Sequence, residues 1–335
     1  MPAGGRIPET ILVAPDSFKG TLRASEVAEA IGRGLRDAGR PVDLCPVADG
    51  GEGTLEVLLE ALGGELRTAQ VSDPLGRSVE APFALIGEGR GRSAAVVETA
   101  AASGLSLVVE SERDPVAAST FGAGELIGAA VAAGAENVYV GVGGSATTDG
   151  GSGAIRAIRR GGGLGGARLT VLCDVRTPYE QAALLFAPQK GADEAEVRRL
   201  TKRLHDLARR LERDPRGVPM TGAAGGLSGG LWAAFGAQLV PGAPFVLDAI
   251  EFDGRMRSAR AVVTGEGKLD LQSLAGKAVS EVATRARQAG VPCHAIVGQR
   301  ELDAFGARVL DLQAILEART PPQISKAARR LAQLL

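Results

Sequence analysis

Five segments of the sequence gather the residue types that handle phosphate groups. They are Asp16-Ser17-Phe18-Lys19-Gly20-Thr21, Asp49-Gly50-Gly51-Glu52-Gly53-Thr54, Gly143-Gly144-Ser145-Ala146-Thr147-Thr148-Asp149-Gly150-Gly151, Gly225-Gly226-Leu227-Ser228-Gly229-Gly230 and Thr264-Gly265-Glu266-Gly267-Lys268-Leu269-Asp270. Glycine lets the backbone take positive φ and lets its N–H groups approach an anion at the start of a helix. Carboxylates beside a phosphate repel it unless a cation lies between them, so Gly and Asp together point to a phosphoryl group with Mg²⁺. The chemistry expected is phosphoryl transfer from a nucleotide. One acid-bearing glycine turn is ordinarily a helix cap; several, each after a strand and two of them with Lys, form a pattern.

Other machineries are disfavoured by what is missing. With only His205 and His294, a Ser–His–Asp or Cys–His arrangement has little to draw on, and a general base is expected among Asp, Glu and Lys. The GxxxxGK[ST] loop and the HRD and DFG triplets of protein kinases are absent from the sequence. Gly141-Val142-Gly143-Gly144-Ser145-Ala146 fits the dinucleotide pattern, yet the ribose contact wants an acid about 20 residues on, and residues 159–168 read RRGGGLGGAR with no acid until Asp174. A nicotinamide-dependent dehydrogenase is therefore the second reading, and a non-catalytic nucleotide or phosphate binder the third. Cys45, Cys173 and Cys293 stand far apart in apolar runs and read as small core residues.

The elements that must position these turns alternate along the chain. Ile11 to Pro15 is a continuous apolar run of the kind a buried parallel strand shows, followed by an amphipathic stretch carrying Val27, Ile31 and Leu35. Val42 to Ala48 repeats the strand signal, and Leu55, Leu58, Leu59 and Leu62 make a helical stripe ended by Gly63-Gly64. From about residue 65 the pattern becomes hairpin-rich. Helical and strand segments then alternate to Gly298, the clearest helix running from Glu194 to Arg213. The architecture expected is a doubly wound domain built from both chain ends, residues 1–70 and 245–335, with a different α/β domain inserted at 71–244.

Composition agrees. The 335 residues are 45% hydrophobic and 3% aromatic, with 38 basic side chains against 39 acidic. That is enough to bury a core, and it lacks the positive surplus and stacking rings of a nucleic-acid binder. No apolar run approaches the about 18 residues of a membrane span, and the start has no signal-peptide pattern, so a cytoplasmic protein is expected.

Taken together, DSFKG, ADGGEGT, GGSAT-x-DGG, APQKGA at 187–192, GAAGGLSGGL at 222–231 and TGEGKLD resemble the bacterial type I glycerate kinase family, in that family's order and over roughly residues 8–300. The resemblance implies ATP-dependent, Mg²⁺-assisted phosphorylation of D-glycerate at the 2-hydroxyl, with the 3-hydroxyl as the alternative. It also implies a Rossmann-like (flavodoxin-like) parallel-sheet domain, an inserted α/β domain and a site in the cleft between them. Asp16, Lys19, Asp49, Asp149 and Lys190 are then the catalytic candidates. Ser17, Gly50, Gly51, Glu52, Thr54, Gly143, Gly144, Ser145, Gly265, Glu266 and Asp270 are the candidates for holding substrate or nucleotide, and Asp49, Asp149 and Asp270 those for holding Mg²⁺. Two departures stand out. Thr148 occupies a position where the family usually has Asn, and the segment after Ile158 is shortened to RGGGLGGA.

Overall fold

Ile11–Pro15 is uncharged and buried at every position, the pattern of a strand covered on both faces. In the computed structural model, which describes residues 9–88, 92–275 and 277–335, it belongs to an all-parallel five-stranded sheet. The spatial order is Leu312–Glu317, Cys293–Val297, Ala261–Gly265, Ile11–Pro15, Val42–Leu44. From Ile11–Pro15 the chain winds to one side, and from Ala261–Gly265 to the other. This is the flavodoxin-like order, and its topological switch point lies between those two strands. Ile11 and Val13 join the core under helices Ala24–Asp37 and Pro321–Leu331. Leu12 and Ala14, equally buried, alternate to the opposite face.

The strand expected over 42–48 runs Val42–Leu44, and the pairing continues past it as the Cys45 and Val47 N–H groups donate to the Val13 and Pro15 carbonyls at 2.8 and 2.9 Å. Helix Ala24–Asp37 lies close against Pro321–Leu331: a Cβ built on Gly34 falls 2.1 Å from the carbonyl oxygen of Ser325. Gly34→Ala is therefore expected to lower stability by about 3 kcal/mol through forced separation of the helices, read from denaturant unfolding.

The second sheet has six strands in sequence order. Gly64–Ser72, Ser78–Glu88 and Arg92–Glu98 form the antiparallel meander the hairpin pattern foretold. Asn137–Gly141, Arg168–Cys173 and Gln238–Pro241 continue it in parallel. Val138, Val140, Leu169 and Val171 from these strands meet Leu126 and Ile127 of helix Phe121–Ala132 and Leu227 and Leu231 of helix Ala223–Phe235 in one core. The helix expected over 194–213 runs Glu194–Ala208, opened by a reciprocal Asp193–Glu196 capping box.

The chain divides into two compact units. One comprises residues up to Asp49 with Val246–Leu335; the other is Gly50–Phe245. Helix Thr54–Leu62 and strand Gly64–Ser72, placed with the first domain by the sequence pattern, thus fall in the second unit. The helix packs on Ser78–Glu88 and Arg92–Glu98, and the strand pairs with Ser78–Glu88 along its whole length. Among the described residues no helix is long and apolar enough to cross a membrane. The three cysteines are buried and free, and burial pushes the Cys45 thiol up to about 11.

Candidate active site

The switch point of the first sheet aims two loops at one place. Asp16 follows Ile11–Pro15 directly, and its backbone N–H donates to the carbonyl of Gly265, the last residue of the neighbouring strand, at 2.8 Å. Glu266 comes next after Gly265. Gly265 itself serves strand packing, since a Cβ there would sit 2.2 Å from the Ile296 carbonyl oxygen. The loops enclose a cavity of about 500 Å³ lined by Asp16, Ser17, Lys19, Asp49, Glu266 and Asp270, all expected from the sequence. Lys268, Lys277 and Arg319 add positive charge to its wall.

Among the described residues its wall carries four carboxylates, Asp16, Asp49, Glu266 and Asp270, and four cations, Lys19, Lys268, Lys277 and Arg319. Asp16 and Asp49 are both buried. The Lys19 ammonium donates to Asp49 Oδ2 at 2.9 Å from a side chain that is half exposed. Burial, and then the Asp49 charge, hold the Asp16 carboxyl well above the usual carboxylate range, although Lys19 and the Ser17 N–H, 2.6 Å from Oδ1, work the other way. Burial likewise pushes Glu266 up to about 7. Two polar atoms on this wall, Ser17 Oγ and Glu266 Oε1, are buried without a hydrogen-bond partner. Buried polar atoms are nearly always paired, so these two are exceptions. Asp270 Oδ1 accepts from the N–H groups of Gln272 and Ser273 and fixes the turn that follows.

A second cavity, of about 470 Å³, opens at the carboxyl ends of Asn137–Gly141 and Arg168–Cys173 in the other unit. Gly143, Gly144, Ser145 and Lys190 line it, with Asp174, Gln189 and Phe186. Gly143 lies close to the 50–54 turn, where an added Cβ would stand 3.0 Å from Gly51 Cα. The dinucleotide pattern at 141–146 does not open a helix. The chain makes a bridge between Gly104 and Ser145, and the next helix starts at Ser152.

Asp149, Gly50, Gly51, Glu52 and Thr54 line neither cavity. The Asp149 carboxylate is consumed by its own surroundings. It accepts from the N–H groups of Thr120, Gly151 and Gly153 at 3.0, 3.1 and 3.0 Å, and from the Thr120 hydroxyl at 3.0 Å. It caps helix Ser152–Arg160 and ties it to Phe121–Ala132. Thr148 Oγ1, which stands where the family usually has Asn, is buried with no hydrogen-bond partner among the described residues.

Three contributors escaped the sequence reading. Arg319 and Asp174 each follow the end of a parallel strand, the position that marks ligand loops, and that signal was available. Glu98 ends Arg92–Glu98, and its carboxylate accepts the Leu55 N–H at 2.8 Å, capping helix Thr54–Leu62 in place of the absent Asp, Ser or Thr at Gly53. Burial pushes Glu98 up to about 7. The folded chain then holds more protons than the unfolded one between 4.5 and about 7, so this contribution to stability is lost as pH rises through that window. Glu98→Gln is expected to remove the dependence, and its stability relative to wild type should increase from the bottom of the window to the top, followed by melting at each pH.

Comparison with known proteins shows the family. The sequence model described as Glycerate kinase family matches residues 11–161 and 162–335. The chain belongs to the glycerate kinase family. A "Glycerate kinase" of Halalkalibacterium halodurans is 40% identical over 326 residues, covering 86% of this chain and 85% of the relative. The "Glycerate 2-kinase" of Escherichia coli is 38% identical over 325 residues, covering 86% and 84%. A crystal structure from Salmonella typhimurium LT2, assigned to glycerate kinase 2, superposes with a TM-score of 0.82 at 34% identity, covering 98% of both chains. Membership makes the chain a small-molecule kinase and sets the dehydrogenase reading aside.

Proposed function

We propose that this glycerate kinase family member transfers the γ-phosphoryl group of ATP to the 2-hydroxyl of D-glycerate, giving 2-phosphoglycerate. The observation that carries the reading is the Asp16–Asp49–Lys19 cluster at the switch point, with Ser17 Oγ and Glu266 Oε1 left for a ligand. The name of the Escherichia coli relative supports the 2-position.

The roles follow from the environments. Phosphoryl transfer needs positioning and charge neutralisation more than covalent help. Lys19 is a mobile point charge suited to a phosphoryl oxygen. Asp49 is ion-paired to Lys19. Asp16, whose proton affinity burial and Asp49 raise, is the group to accept the glycerate hydroxyl proton. Asp49 and Asp270 offer the hard oxygen donors that Mg²⁺ takes in ones and twos beside phosphate oxygens. Among the described residues no three acids, histidines or cysteines form a complete metal site, which suits an ion that arrives with its nucleotide. When bound, that ion neutralises phosphate charge.

The test is to supply MgATP and D-glycerate, follow ADP, and assign the product by phosphorus NMR. ADP release with a 2-phosphoglycerate signal is expected. A 3-phosphoglycerate signal would move the transfer to the other hydroxyl, and nucleotide binding without turnover would leave a binding protein.

A further inference from the structure

Lys190 is the one fully buried cation among the described residues. Its ammonium donates to Ser145 Oγ at 2.9 Å and to the Thr147 carbonyl oxygen at 2.5 Å, and both acceptors are neutral. Among the described residues no carboxylate stands at ion-pair distance. A buried ammonium without a counter-ion is costly, and burial draws Lys190 down to about 7, with the charge of Asp149 only partly opposing.

The surroundings hold this arrangement in place. Gly225 is pressed onto Thr147, where a Cβ would fall 2.0 Å from the carbonyl oxygen that accepts from Lys190. The adjoining Ala224, also on the cavity wall, takes the left-handed conformation at φ 49°, ψ 45°. Backbone strain of this kind in a non-glycine residue concentrates at ligand sites. Asp174 and Gln189 line the same cavity, with Val142, Val175 and Phe186 as apolar walls.

We propose that Lys190 is the counter-ion for the carboxylate of the hydroxy-acid substrate, and that Asp174 and Gln189 hold the hydroxyl that is not phosphorylated. The inference rests on the reading of the chain as a glycerate kinase. One cation facing one acid suits a small monoanion bearing hydroxyls. A polyphosphate suits the other cavity, where Lys19, Lys268, Lys277 and Arg319 gather.

Calorimetric titration of the full chain with D-glycerate, and separately with a non-hydrolysable ATP analogue, tests this. Lys190→Met is expected to weaken glycerate binding by about 10²-fold and to leave the nucleotide within about threefold. Wild type at about pH 8 should take up protons on binding glycerate, because the bound carboxylate raises the Lys190 pKa, and Lys190→Met should not. Ser145→Ala keeps the buried cation and serves if Lys190→Met does not fold: a loss confined to glycerate is again expected. Unchanged glycerate binding in these variants, or a loss of the nucleotide instead, overturns the proposal. Wild type that binds glycerate through Lys190 but makes no ADP leaves this site standing and removes the kinase reading. Wild type that binds no glycerate removes both.

Discussion

Lys19→Met is expected to fold as the wild type does and to lose about 10³- to 10⁵-fold in kcat, the range measured when a charge on the transferring phosphoryl group is removed. The two halves of this expectation come from different observations. The Lys19 side chain is half exposed but Asp49 is buried, so losing their pair costs about 1–3 kcal/mol, which leaves the fold standing. Its ammonium nevertheless stands on the wall where Ser17 Oγ and Glu266 Oε1 lack partners. Lys19→Arg should recover only part of the rate, because a planar fork replaces a compact charge. Steady-state kinetics beside a melting curve decide it: near wild-type turnover in a folded Lys19→Met protein removes Lys19 from the reaction.

Asp149→Ala should fail in the opposite way. Its carboxylate accepts from three backbone N–H groups and the Thr120 hydroxyl in a fully buried setting. Removing it orphans those donors, at a cost of about 4 kcal/mol. Asp149→Asn should recover little, since its NH₂ group must face donors. Unfolding in denaturant measures the loss. A stable Asp149→Asn protein without activity would return this carboxylate to the chemistry.

These cases show where the sequence was legible. Ile11–Pro15 reads as a buried parallel strand because nothing in it tolerates water, and its pairing with Ala261–Gly265 then brings Asp16 and Glu266 together. The alternation of strand and helix was enough to expect both chain ends in one sheet. Asp149 shares the residue type, glycine neighbours and position of Asp49, and local sequence cannot tell which carboxylate faces a cavity and which is enclosed by Thr120, a partner 29 positions away. Lys277 lies in a stretch with no turn signature, and its place on the cavity wall comes only from tertiary packing. Glu98 escaped because a cap supplied from 43 residues away leaves no mark at Gly53 itself.

The first sheet draws its strands from both sides of a long insertion, and this has a consequence for synthesis. Ile11–Pro15 leaves the ribosome long before its neighbour Ala261–Gly265 exists, an interval of roughly ten to fifty seconds at ordinary elongation rates. During that time one edge of a fully apolar strand has no hydrogen-bonding neighbour, while Gly50–Phe245 already contains every strand of its own sheet. Nascent chains stalled once Phe245 has cleared the ribosome should therefore protect the insertion from protease, leave the amino-terminal segment open to cleavage, and be the species that most needs a chaperone.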